Sequence, residues 1–212
     1  MRSVNGVSGQ AWGGNRARPD LVRKFFPMDD APEGLYAYET FSAAMDDRAL
    51  FDTRGRSFNI EDPGTFKQGY AVAKFNTLTT DGSMTKDATH PDMDVFLMRK
   101  AEGYLILAEA LARQNKPGAL EQINIIRERA HARPLTKINS LDDILDEWAR
   151  EFYFEGHRRT DLIRFGIQWL MFALILIYYL VAKDYTPNFG FINEHGLALG
   201  LLLTLAFPIL CI

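Results

Sequence analysis

A helical repeat of apolar residues that begins near Asp94 constrains the fold of this chain more than any other feature of its sequence. The residues of this stripe are Leu97, Ala101, Tyr104, Leu105, Ala108, Leu111 and Ala112. The charged side chains of Arg99, Lys100 and Glu102 lie mostly off the stripe. Apolar positions spaced three or four residues apart predict an amphipathic α-helix with one buried face.

Two further helices are predicted after the first. Pro117 cannot donate to a preceding helical turn but suits the first position of a second helix, which we expect over residues 117–132. Pro134 ends that helix, and Ser140 is predicted to cap a third helix that runs to about Glu155. The inward residues are Leu120, Ile123, Ile126 and Ala130 in the second helix and Leu141, Ile144, Leu145, Trp148 and Phe152 in the third. Short connections favour antiparallel neighbours, so the predicted fold class is mainly α, with a compact TPR-like helical unit.

The part of the chain before this unit predicts irregular structure. Turn signals such as Asp62-Pro63-Gly64 recur there, because proline fixes φ and glycine permits positive φ. We expect one or two helical turns over residues 21–26, a short helix over residues 38–50 and a strand from Tyr70. The sequence thus predicts a loop-rich region over residues 1–93 and a helical unit over residues 94–166.

The segment 167–212 forms a third part with a different composition, because its only charged residues are Lys183, Asp184 and Glu194. Its two apolar runs, 167–182 and 197–212, would each reach about 24 Å as a helix, short of the roughly 30 Å hydrocarbon core of a bilayer. One hypothesis is a marginal membrane hairpin, which would make the chain a small integral membrane protein. The leading hypothesis is a frameshift or gene junction after Gly166, because so abrupt a change has no folding rationale.

Composition excludes several classes of function. The chain has 24 basic and 27 acidic residues and a formal net charge of −3, so nucleic acid is not expected as a partner. The lone Cys211 rules out an intrachain disulfide. The first residues lack the apolar run of a secretory signal, and none is predicted at this end. We expect no cofactor and no metal site, since the four histidines (His90, His131, His157 and His195) show no ligand spacing.

The third helix contains a ladder of carboxylates, Glu147, Glu151 and Glu155, four residues apart. Like charges at this spacing destabilise a helix, so cations must offset them. We predict a structural network of carboxylates and guanidinium groups that pins the helices together. Its predicted members are the three glutamates with Arg127, Arg129, Arg150, Arg158, Arg159 and Asp161. The alternative is a hydrolase in which Glu151 and Glu155, with His157, act as acid and base; we predict no catalytic residue, because dense arginines usually hold carboxylates ionised.

Three ordered segments over about 70 residues resemble the SusD/RagB family. FLMRKAEGYLILAEAL, which starts at Phe96, is similar to the family pattern R-x-A-E-x-Y-L-x-x-A-E-A. INIIRERA, from Ile123, is similar to I-N-x-x-R-x-R-A. ILDEWAREFYFEGHRRTDLIRFG, from Ile144 to Gly166, is similar to I-L-x-E-R-x-R-E-x-x-x-E-G-x-R-R-x-D-L-I-R-x-G. One departure is Trp148, which stands where the family usually has arginine; another is segment 167–212, which replaces the family's usual continuation.

The resemblance implies a non-catalytic function. It implies capture of an oligosaccharide or another nutrient at the outer membrane, on the cell surface, as the partner of a TonB-dependent transporter. In this chain the function is expected to be impaired, because the family's long N-terminal part and its lipid-anchored cysteine are absent. No family ligand residue maps onto a motif here, so the ligand-binding residues are left unknown.

The resemblance also bears on the aromatic residues of the loop-rich region. In the family such rings bind glycans, and exposed rings here would suit the faces of sugars. We favour the alternative that most of them are core, because large aromatic side chains are mostly buried. They are Trp12, Phe25, Phe26, Tyr36, Tyr38, Phe41, Phe66, Tyr70 and Phe75.

Overall fold

The structure is a computed structural model, and it describes residues 15–27, 30–75, 83 and 96–166. The chain divides into two compact units, one through Arg158 and one from Arg159 onwards. The fold is mainly α, as the sequence predicts. The predicted boundaries near residues 93 and 167 lie at the edges of the described ranges and stay predictions. The membrane hairpin proposed for residues 167–212 lies outside them, and no helix of the described ranges is long and apolar enough to cross a membrane.

Three helices form the predicted helical unit: α3 (Lys100–Arg113), α4 (Ala119–Arg129) and α5 (Leu141–Phe152). Helix α3 packs against both α4 and α5. Ser140 caps α5 as predicted, in a capping box whose other half is the side chain of Asp143. The apolar residues that α3 to α5 bury are Ala101, Leu105, Ala108, Ala119, Ile123, Ile126, Ile144, Leu145, Trp148, Ala149 and Phe152.

The ends of these helices differ from the prediction. Helix α3 begins after Leu97, which is 93% exposed, so its predicted place on the buried stripe is wrong. Helix α4 begins at Ala119 because Gly118 takes the N-cap position with φ 102°. Helix α5 ends at Phe152, three residues early, because the backbone of Tyr153 is extended (φ −60°, ψ 140°) and Phe154 (φ 62°) follows in the left-handed region.

The described residues of the loop-rich region form five short elements. They are β1 (Arg16–Ala17), α1 (Pro19–Val22), α2 (Tyr38–Ala44), β2 (Phe51–Asp52) and β3 (Tyr70–Val72). The strands form one sheet in the order β1-β3-β2, with both pairs antiparallel. Helix α1 begins two residues before the predicted turn, and α2 is shorter than predicted because Met45 adopts the left-handed conformation that commonly ends a helix.

An aromatic core joins this region to the end of α5. The ring of Tyr153 lies 5.8 Å from that of Phe51 and 6.1 Å from that of Phe25, measured between centroids. The Tyr153 hydroxyl donates a 2.6 Å hydrogen bond to the backbone oxygen of Arg48. The buried members of the cluster are Ala17, Val22, Phe25, Phe26, Ala49, Phe51, Tyr70, Val72 and Tyr153. Sheet, loops and α5 therefore share one core.

The predicted aromatic residues divide between core and surface. Phe25, Phe26 and Tyr70 are buried, whereas Tyr38 and Phe66 are exposed. The remaining described rings, those of Tyr36, Phe41 and Phe75, are half-buried, and Trp12 lies outside the described residues.

Helix α6 (Arg158–Arg164) follows α5 after a short turn. Its first residue closes the first unit, and the remaining six belong to the second. In the second unit Arg164 pairs with Asp161 at 3.1 Å, one turn apart on the helix.

Candidate functional site

Glu147, on α5, is fully buried and is bound by three arginines from different parts of the chain. One carboxylate oxygen accepts a 2.7 Å bond from Arg48. The other accepts bonds from Arg127 of α4, at 2.8 Å, and from Arg150 of α5, at 2.9 Å. Burial alone would raise the pKa of Glu147, but the three guanidinium groups outweigh it and hold that pKa below its usual value.

Arg48 is buried, and a local pair with Asp46 orients it. Its Nε and Nη2 donate to the two oxygens of Asp46 at 2.8 and 2.7 Å. Burial opposes the charge of Arg48, but Asp46 and Glu147 overcome it and raise the pKa of Arg48 above the ordinary arginine value. This fork geometry is the strong form of a charge-assisted hydrogen bond.

Glu151, one turn after Glu147, collects a second set of arginines. Its carboxylate accepts bonds from Arg129 at 2.7 and 2.8 Å and from Arg99 at 2.7 Å, with Arg48 at 3.3 Å. Burial would raise the pKa of Glu151, but hydrogen bonding to Arg99 and the nearby charges of Arg129 and Arg48 lower it. The carboxylate is therefore held as an anion at neutral pH.

Glu155 lies beyond the end of α5 and takes its partners from two segments that are distant in sequence. Arg99 donates to both of its oxygens, at 2.8 and 2.9 Å. Lys74 also pairs with Glu155 and donates to the backbone oxygens of Glu151, at 2.9 Å, and Tyr153, at 3.2 Å. Burial lowers the pKa of Lys74, and Glu155 offsets part of that shift. A cation is thus placed where the carbonyl groups at the end of α5 need donors.

The structure brings together most of the residues predicted for the network. Glu147, Glu151, Arg127, Arg129 and Arg150 share contacts, and Glu155 joins them through Arg99. Arg158 instead donates to the backbone oxygen of Leu145 at 3.2 Å, because the early end of α5 changes its position relative to Glu155. The remaining two predicted members, Arg159 and Asp161, belong to the second unit.

Four members of the network were not predicted: Asp46, Arg48, Lys74 and Arg99. The sequence carries one signal for them, because three glutamates in one helix require more cations than that helix supplies. The sequence does not indicate which of the 24 basic residues pair with these glutamates.

The network holds its two most buried carboxylates, those of Glu147 and Glu151, as anions. A general acid needs a carboxyl whose pKa is raised, and those of Glu147 and Glu151 are lowered. The ring of His157 lies 4.6 Å from that of Phe152, measured between centroids, in an aromatic contact with the buried side of α5. Among the described residues no group of three or more His, Cys, Asp or Glu side chains could hold a metal ion.

A cavity of about 360 Å³ adjoins the exposed side of the network. It lies where the residues after β3, those before α3 and the ends of α4 and α5 come together. Its lining residues are Asp47, Arg48, Leu50, Lys74, Phe75, Phe96, Arg99, Arg129, Glu151 and Glu155. Aromatic and charged side chains thus line a common space.

The sequence model of the SusD family matches residues 59–197, which include every helix of the network. The chain belongs to the SusD family. This confirms the resemblance that the three motifs indicated. In this SusD-family chain Trp148, in place of the usual arginine, is buried in the helical core against Phe152, with ring centroids 5.3 Å apart. The matched range also extends past Gly166, so it includes part of the segment predicted to be foreign to the family.

Two curated SusD-family relatives are similar to the chain. The starch-binding protein SusD of Bacteroides thetaiotaomicron is 39% identical over 142 residues, which are 65% of this chain and 26% of the relative. SusD-like protein P38 of Formosa agariphila is 29% identical over 115 residues, which are 52% of this chain and 22% of the relative. The chain thus spans about a quarter of the length of each.

Proposed function

We propose that this chain serves non-catalytic capture of an oligosaccharide, as part of a SusD-type protein at the cell surface. The observation that carries the proposal is its 39% identity over 142 residues to a protein named for starch binding. Three motif segments in the order of the family support the same assignment. Binding requires shaped, rigid surfaces and no reaction centre.

The ion-pair network supports a scaffold in preference to a hydrolase. Glu151 receives guanidinium groups from Arg48, Arg99 and Arg129, which oppose its protonation. In a hydrolase, Glu151→Gln would abolish turnover and leave the fold intact. In the scaffold proposed here, the same substitution lowers the free energy of unfolding.

Affinity electrophoresis tests glycan capture directly. The full chain is run through native gels that contain soluble starch, and through gels with dextran or without polysaccharide as controls. Retardation that depends on the starch concentration is the expected result, with a weaker effect than for a full-length relative. Equal mobility in all the gels would refute capture of this glycan.

The proposed location is the outer membrane, and the proposed partner is a TonB-dependent transporter. Both rest on what the family resemblance implies. Tagged chain expressed from its own gene is expected to fractionate with outer membranes and to co-purify with such a transporter. Recovery in other fractions, without the transporter, would contradict this part of the proposal.

A small integral membrane protein remains a second candidate because of the two apolar runs within residues 167–212. A chain ended at Phe165 separates the two candidates. It stays in solution without detergent if the helical unit is the functional part. Detergent-dependent extraction of the full chain, with no starch retardation, would favour the membrane protein.

A further inference from the structure

The cavity beside the network has an aromatic side. Phe75 and Phe96 line it, and Phe96 is 61% exposed although phenylalanine is usually buried. Leu50 adds apolar surface. Flat apolar groups exposed at a cavity suit a ligand with an apolar face, as a pyranose ring has.

The same cavity also has hydrogen-bond donors without an acceptor, on Arg129. Both bonds that Arg129 makes to Glu151 come from its Nη2 atom, and its side chain is 55% exposed. Within the described part of the chain, the Nε and Nη1 groups of Arg129 have no acceptor. Each of these groups can donate a charge-assisted hydrogen bond to a carboxylate oxygen, one bond at a time because the two groups point in different directions.

The charges around the cavity favour an anionic ligand. In the described ranges the network contains six cations: Arg48, Lys74, Arg99, Arg127, Arg129 and Arg150. Their carboxylate partners are four: Asp46, Glu147, Glu151 and Glu155. Asp47, which also lines the cavity, adds one negative charge but is paired with His131 at 2.6 Å. A positive surplus remains, and an anion bound at Arg129 would reduce it.

We propose that this cavity binds a sugar unit that carries a carboxylate, with the ring against Phe96 and the carboxylate at Arg129. The volume, about 360 Å³, is at the lower end of the range for small-molecule sites, which runs from about 300 to 1,000 Å³. The inference rests on the proposed function and narrows it, because it assigns an acidic subsite to this chain.

Isothermal titration of the full chain tests the subsite with three probes: trigalacturonate, maltotriose and sodium acetate. Trigalacturonate is expected to bind more tightly than maltotriose, and more weakly as salt is added. Phe96→Ala and Arg129→Lys are each expected to weaken its binding about tenfold or more. Leu97→Ala is the matched control, because Leu97 is a neighbouring exposed apolar residue that does not line the cavity.

Thermal unfolding of each variant accompanies the titrations. Arg129→Lys keeps a positive charge, and Glu151 keeps Arg99 and Arg48, so the folded state is expected to persist. The assignment would be overturned if Phe96→Ala left the affinity for trigalacturonate unchanged. It would also be overturned if acetate at equal concentration displaced trigalacturonate. Binding of maltotriose alone would overturn the acidic subsite and leave oligosaccharide capture standing. If starch does not retard the chain in the gel, and neither trigalacturonate nor maltotriose binds, the proposed function is refuted as well.

Discussion

Arg48 and Glu147 lie 99 residues apart in the chain, and a 2.7 Å hydrogen bond joins Nη1 of the arginine to Oε1 of the glutamate in the protein interior. Both side chains are buried. This bond ties the segment before β2 to the middle of α5. Two charges withdrawn from water depend on each other, because breaking a buried pair leaves an uncompensated charge.

Replacing Arg48 by methionine should therefore destabilise the protein strongly. We expect the free energy of unfolding to fall by about 3–5 kcal/mol, because Asp46 loses its partner and Glu147 loses one of three. Urea unfolding followed by circular dichroism measures it. Arg54→Met is the control, since Arg54 makes the same kind of fork with Asp52 two residues earlier but is 57% exposed. Its expected effect is below about 1 kcal/mol, and equal losses in the two variants would contradict the role assigned to Arg48.

Stability should depend on pH through Glu151. Its pKa is lower in the folded state than the unfolded value of about 4.3. The folded state therefore binds fewer protons, so the stability from this carboxylate is present above the unfolded pKa and is lost as pH falls through the folded one. The urea concentration at the unfolding midpoint should fall as the pH is lowered from 7 to 2. Glu151→Gln should make this dependence on pH less steep. Glu121→Gln, at an exposed position of α4, should keep the wild-type slope.

The Tyr153 hydroxyl should contribute through a single hydrogen bond. Tyr153→Phe keeps the ring in the aromatic core but leaves the backbone oxygen of Arg48 without this donor. We expect a loss of about 0.5–1.5 kcal/mol in the free energy of unfolding, the net contribution of one hydrogen bond, because the same oxygen keeps the 2.8 Å bond from the Leu50 N–H. Tyr38→Phe is the matched control at a position that is 71% exposed, and its effect should stay within about 0.5 kcal/mol. A neutral result for Tyr153→Phe would show that water replaces the bond.

The coding DNA tests the frameshift hypothesis for residues 167–212. If the hypothesis is right, the neighbouring frame after Gly166 encodes a continuation rich in tryptophan and glycine. Resequencing the gene and translating both frames is the measurement. A neighbouring frame without such a continuation would contradict the hypothesis, and the family match through residue 197 favours that outcome.

The sequence by itself determined that α3, α4 and α5 form, though not where they end. Apolar residues three or four positions apart fixed the buried faces of α3, α4 and α5, and Ser140 marked the start of α5. The sequence also required that cationic side chains pair with Glu147, Glu151 and Glu155. These features depend on neighbours within one helical turn, so a linear pattern contains them.

Only the tertiary structure decided which cations those are and where α5 ends. Arg48, Lys74 and Arg99 reach the glutamates from other segments. Tyr153 leaves the helix to complete an aromatic core built from residues that lie 81 to 136 positions earlier. Hydrogen bonds and apolar contacts act over a few ångströms of space, whatever the separation along the chain. A pattern of neighbouring residues cannot specify such partners until the chain is folded.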